Sequence, residues 1–152
     1  MVKKFSVGSW KLSSLTPKKV SLSLFILFVV FGLLILPSFG LHWDEIYQRP
    51  YGEAVYNYVL KGDTGLLTHG ERYHGPLFEF LLVTGERMLK LEDFRTIHLF
   101  RHLCTFLLFC GGLAALYQLA KRMLKSPWMA LLAPAFLILQ PRIFAEAFYN
   151  TK

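Results

Sequence analysis

Residues 21–45 read SLSLFILFVVFGLLILPSFGLHWDE. Ser21 to Leu41 carry no charge. A helix across the hydrocarbon core of a bilayer takes about 20 apolar residues, within a range of roughly 17–25. This run has that length, and an acidic pair, Asp44 and Glu45, follows just after it. The question is why two carboxylates stand where the chain leaves a membrane.

Working outward, the same signal recurs twice. Leu103 to Ala120 is a second uncharged run, and Ser126 to Pro141 a third. The third spans only if Ile143, Phe144 and Ala145 extend it past Arg142. The chain as a whole is 54% hydrophobic and its mean hydropathy is positive, an apolar share above that of a soluble domain. The fold class expected is all-α, a polytopic membrane protein with about three transmembrane helices and short interfacial helices in an outer loop.

The net charge of +7 is distributed by segment. Residues 1–20 carry Lys3, Lys4, Lys11, Lys18 and Lys19 and no acid. All but one of the acidic residues fall between Asp44 and Asp93, and Lys121, Arg122 and Lys125 fill the next short loop. Such alternation fits the positive-inside rule and speaks against a nucleic-acid partner. The expected organisation follows. Residues 1–20 form a basic cytoplasmic arm meeting anionic lipid headgroups, and 21–41 form the first span. Residues 42–94 form an outer loop, 95–120 the second span, 121–126 a cytoplasmic loop, 127–146 the third span, and 147–152 the start of a second outer segment. Lysines, an apolar run and PSFG also resemble a secretory signal cut after Gly40. The further spans favour an uncleaved helix, and either reading exports residue 42 onward.

The outer loop is too long for a connector. GEAVYNYVLKG (52–62) predicts a helix closed by Gly62. Pro76 opens a second helix in PLFEFLLVTGERMLKLED. There Leu77, Phe80, Leu81, Met88 and Leu91 share one face, and Glu79, Glu86 and Lys90 lie on the other side. Such a helix either lies in the interface plane, apolar face down, or packs on the rest of the protein. Pro134 is expected to kink the third span. Gly111, Gly112, Ala114 and Ala115 form a smooth patch suited to close helix approach. Cys104 and Cys110 match no metal or redox spacing and read as small apolar residues within a span.

Candidate chemistry rests on four places. Asp44 or Glu45 can act as a general base at the membrane surface. The plain alternative is a turn in which Glu45 pairs with Arg49, four residues on. HGERYHGP (69–76) holds His69, Glu71 and His74, which meet no standard metal spacing and suit polar contacts to a substrate. Arg101, near the outer interface, and Arg142, at the outer end of the third run, are costly unless paired or touching phosphate.

The ordered set WDE, YHGPLFEFLL, RHL and PRIFAEAFYNTK resembles the N-terminal part of the membrane glycosyltransferases of the C-type superfold. It is closest to the family 39-like group, to which protein O-mannosyltransferases and lipid A aminoarabinose transferases are related. In that group an acidic residue follows the first span, and a His/Lys-Pro-Pro-Leu-Tyr-like segment comes later. Here the latter reads His74-Gly75-Pro76-Leu77-Phe78, with Gly in place of the first Pro. The ending FYNTK looks like the stretch that commonly continues into an Asp at the head of the next outer loop.

The resemblance implies inverting transfer of a sugar from a polyprenyl-phosphate donor to a hydroxyl on a lipid, glycan or protein acceptor. Asp44 is the implied base, with Glu45 second. His74, Arg101, Arg142 and Lys152 are the implied substrate contacts, and Arg142 and Lys152 best match the place of the leaving phosphate. It implies no tightly bound cofactor and leaves a divalent metal open. The location expected is a plasma membrane if the source is bacterial, or the endoplasmic reticulum if it is eukaryotic. The family has about nine or more spans, so the chain looks like an N-terminal third, expected to be inactive alone. Two other readings stand beside it: a small non-catalytic membrane subunit or scaffold, and a transporter fragment.

Overall fold

A computed structural model describes residues 16–150, and Lys152 lies outside them. These residues are helical, with no strand among them. Helix α1 runs Pro17–Ile35, α2 Glu45–Lys61, α3 Pro76–Met88 and α4 Phe94–Leu124. Three shorter helices follow: α5 Pro127–Ala130, α6 Leu132–Ile138 and α7 Pro141–Tyr149.

Local chemistry fixes most ends. Thr16 accepts from the Lys19 N–H and Pro17 opens α1, the capping oxygen and preset φ that a helix start requires. Asp93 caps α4 in the same way, accepting from the Thr96 N–H at 2.9 Å. Gly62 closes α2 in the left-handed conformation, φ 71°, which suits a residue without a Cβ. The α2 helix begins earlier than the expected Gly52, at Glu45, and runs through Pro50. Its first turn is secured by Glu45, which accepts locally from the His42 N–H and across the fold from His102 of α4.

Helices α1, through Ser38, and α4 are each long and apolar enough to cross a membrane. Their exposed faces are apolar: Leu22, Ile26, Leu27 and Leu34 on α1, Leu107, Leu108 and Leu119 on α4. A soluble protein rarely presents so continuous a greasy surface to water. The 31 residues of α4 make a rod of about 46 Å at 1.5 Å per residue. Its charged and histidine-bearing ends flank the uncharged stretch 103–120, about 27 Å, close to the thickness of a bilayer core.

The third apolar run is not one rod. Pro127–Ile138 and Pro141–Tyr149 meet at a bend of 73°, so the run expected to span over 127–146 with a kink is bent. The bend falls ahead of Pro141, not at Pro134, which lies inside α6. A proline disfavours the helical region for the residue before it, and Gln140 is extended, ψ 108°.

Helices α1 and α4 run antiparallel and meet where Gly32 faces Phe106. A Cβ on Gly32 would lie 2.1 Å from the Phe106 ring, so only glycine permits this approach. Phe106 is fully buried, and it stacks on Phe148 of α7 at 4.9 Å. Leu36, Cys110 and Ala147 complete this core, with Phe28, Phe39 and Phe144 around it. Cys104 and Cys110 are free thiols. Gly111, Gly112, Ala114 and Ala115 are exposed, and a Cβ on either glycine would meet nothing within 4 Å.

Candidate functional site

The acid-rich hairpin of α2 and α3 links the C-terminal end of α1 to the N-terminal end of α4. It buries three of its carboxylates, Glu45, Glu79 and Glu86. Glu79, Leu82, Val83 and Glu86 form the buried face of α3, while Leu77, Leu81 and Met88 are exposed. The reason is on α4. Arg101 is 1% exposed and holds Glu79 through Nη2 and Glu86 Oε1 through Nη1, the latter at 2.8 Å. Arg49 of α2 donates from Nε to the other Glu86 oxygen at 3.2 Å and reaches Glu53 at 3.1 Å. One guanidinium thus clamps two carboxylates that the α3 sequence alone would send to solvent. A buried ion cluster needs such mutual satisfaction, since a charge left alone there costs several kcal/mol, of the order of 3–5.

Arg101, expected to be either paired or touching phosphate, has its terminal nitrogens engaged by protein carboxylates. Glu45 does not pair with Arg49, the plain alternative for it. It is 1% exposed, accepts from His102 Nε2 and from the His42 N–H, each at 2.8 Å, and lies 3.6 Å from His98 Nδ1. Burial by itself raises its carboxyl pKa. The His102 and His98 imidazoles and the His42 N–H outweigh that and hold it at about 2. A group so enclosed and so weakly basic is a poor general base. Beside it, the Gln48 amide and the His98 ring are buried with no hydrogen-bond partner among the described residues, a polar interior of the kind that ordered water usually fills.

Asp44 remains at the surface side of the same turn. It is half-buried, precedes the first residue of α2, and its carbonyl accepts from the Tyr47 and Gln48 N–H groups at 3.0 Å. The adjacent pair is therefore split. Glu45 turns into the α2–α4 contact, and Asp44 stays at the helix start.

The end of the described chain returns to this point. The Tyr149 ring stacks on His42 at 4.2 Å, and Phe148 stacks on Phe39 at 4.3 Å. A hollow of about 270 Å³ opens between α4 and α7, lined by Thr105, Glu146 and Asn150 among others. Arg142, on the first turn of α7, is exposed and donates to Glu146 at 2.7 Å.

His74 sits elsewhere on the hairpin. Its carbonyl accepts from the Tyr51 hydroxyl at 2.7 Å, and its Nδ1 is 2.8 Å from Glu71. Tyr51 is two turns along α2 from Asp44, a rise of about 10 Å. Glu71 also donates its N–H to His69 Nδ1 at 3.2 Å, so the HGERYHGP segment folds upon itself. Among the described residues no three His, Cys, Asp or Glu side chains gather as a metal site.

Of the residues singled out in the sequence, Asp44 and Glu45 stand together, and the α7 segment of Arg142 packs beside their loop. Arg101 joins the buried cluster instead, and His74 lies along α2. Sequence reasoning missed His42, Tyr149, Gln48, and the partnership of Glu79 and Glu86 with Arg101. One signal was available: His98, Arg101, His102 and Thr105 recur at helical spacing on a single face of α4. Comparison of the chain with protein-family models, with curated proteins and with solved structures finds no match.

Proposed function

We propose that the chain is the N-terminal portion of a membrane glycosyltransferase, with Asp44 as the base that activates an acceptor hydroxyl. The donor in this reading is a polyprenyl-phosphate sugar, and the chain crosses the membrane more than once with its acidic end on the outer side. The observation that carries the proposal is convergence. The HWDE turn and the FYN ending, about a hundred residues apart, meet through the His42–Tyr149 and Phe39–Phe148 stacks. They are the two segments in which the sequence resemblance puts the acceptor's base and the approach to the next outer loop.

The division between the two carboxylates supports the same reading. Glu45 and its histidines anchor the start of α2, and that fixes the position of Asp44. A base held by a rigid support loses little of its effect to misplacement. In this reading Arg142, exposed on α7, is the cation that meets the anionic end of a lipid-linked donor as the sugar departs. The apolar outer face of α3, with Leu77, Leu81 and Met88 exposed, suits a helix lying in the interface plane.

The test is sugar transfer from a radiolabelled polyprenyl-phosphate sugar pool in membranes expressing the complete gene product. Asp44→Asn is expected to lower transfer by about 10²–10⁴-fold, the usual contribution of a positioned base, with the protein present at normal level. Equal transfer by wild type and Asp44→Asn refutes the role. One observation favours a second reading: the uncovered Gly111, Gly112, Ala114 and Ala115 face of α4 fits a non-catalytic subunit that binds other helices. Transfer by neither protein would favour it.

A further inference from the structure

At the end of the molecule away from the acidic hairpin, a groove of about 930 Å³ opens between α1, α4 and the α5–α6 pair. Its origin is geometric. Helices α1 and α4 touch at Gly32 and Phe106 and diverge toward Lys18 and Lys121, and α5–α6 is too interrupted to close the gap. The wall is apolar in depth, with Phe28, Leu113 and Ile138, and Lys18, Lys121 and Tyr117 also line it. No carboxylate is among the lining residues.

We propose that this groove holds an anionic glycerophospholipid from the leaflet that meets the basic ends of α1 and α4. The order of chemistry along the groove is that of the lipid. An apolar channel accepts acyl chains, and two ammonium groups meet the phosphate at the end where a headgroup would lie. Basic pockets between membrane helices select anionic headgroups in this way. The volume lies within the span of pockets that enclose small molecules, roughly 300–1,000 Å³. A zwitterionic lipid satisfies the walls, but its own headgroup cation competes with both lysines for the phosphate. A second copy of this chain would bring more lysine to the same end, since Lys19, Arg122 and Lys125 flank the site.

The test is native mass spectrometry of the full chain in detergent, titrated separately with phosphatidylglycerol and phosphatidylcholine of identical acyl chains. The expected result is one phosphatidylglycerol retained about 30-fold more tightly than phosphatidylcholine, two lysines each acting at the usual strength of a near-surface basic residue. The Lys18→Gln/Lys121→Gln variant is expected to lose that preference. A Lys19→Gln/Lys125→Gln variant, with the same net charge, is expected to keep it. Ala135→Trp, which fills the groove, is expected to weaken both lipids. Equal retention of the two lipids by the wild type overturns the proposal. So does equal loss in both lysine pairs, which would mark general surface attraction, and so does a lipid-free dimer, which would put a second copy in the groove.

Discussion

Replacing Arg101 by Met removes the guanidinium that joins α4 to α3 while keeping most of the side-chain volume. Glu79 and Glu86 are 4% and 3% exposed, so neither gains water when the arginine goes. Arg49 still reaches Glu86 at 3.2 Å, from a position that is itself one-third exposed. Glu79 loses the guanidinium that holds it to α4. Breaking a buried ion pair by removing one member costs about 3–5 kcal/mol, a large part of the roughly 5–15 kcal/mol that holds a domain together. The loss is expected to appear first as local opening, with faster amide exchange along α3, because the clamp is what turns that helix's acidic face inward. The triple variant Arg101→Met, Glu79→Gln, Glu86→Gln removes charge from both sides and is expected to recover most of the stability. Denaturant unfolding in detergent micelles together with hydrogen exchange supplies both readouts. A single variant within about 1 kcal/mol of wild type, with unchanged exchange in α3, would refute the buried-clamp reasoning. So would a triple variant no more stable than the single one.

Other outcomes follow from the same geometry. The Glu45 carboxyl sits at about 2 against an ordinary 4.5, so its contribution is fully present above about pH 4.5 and fades as pH falls through about 2. The shift corresponds to about 3 kcal/mol, and acid unfolding of wild type beside Glu45→Gln should show that difference shrinking over this window. Gly32→Ala forces a Cβ into the Phe106 ring and should cost about 1–3 kcal/mol in unfolding measurements, with Phe106→Leu in the same chain restoring part of it. A cysteine at Gly65, on the exposed turn after α2, should react with a membrane-impermeant thiol reagent in intact cells. Labelling only after lysis would invert the proposed orientation.

Much of the architecture was legible along the chain because it depends on local quantities. Run length and absence of charge marked α1 and the central stretch of α4. Gly62 and Pro76 marked helix ends because a cap or a helix-opening proline is a property of a few neighbouring residues. The break in the third run was half legible. A proline bend is expected in the run, but Pro134 lies inside α6 and the bend comes ahead of Pro141, where Gln140 is extended.

What the tertiary structure decided is which way the polar groups face. The period of α3 separates Leu77, Leu81 and Met88 from Glu79 and Glu86 correctly, but periodicity names two faces without saying which is inside. In water the apolar face turns inward. Here α3 lies beside helices whose own surfaces are apolar outward, and Arg101, fifteen to twenty-two residues later, supplies the charge that makes the acidic face the buried one. The same holds for the acidic pair. Asp44 and Glu45 are neighbours with nearly equal chemistry, and the sequence left either as the base. Only the approach of His102, fifty-seven residues on, takes Glu45 into the interior and leaves Asp44 half-buried at the helix start. Partnerships across such separations depend on where the rest of the chain closes, a condition that no local pattern encodes.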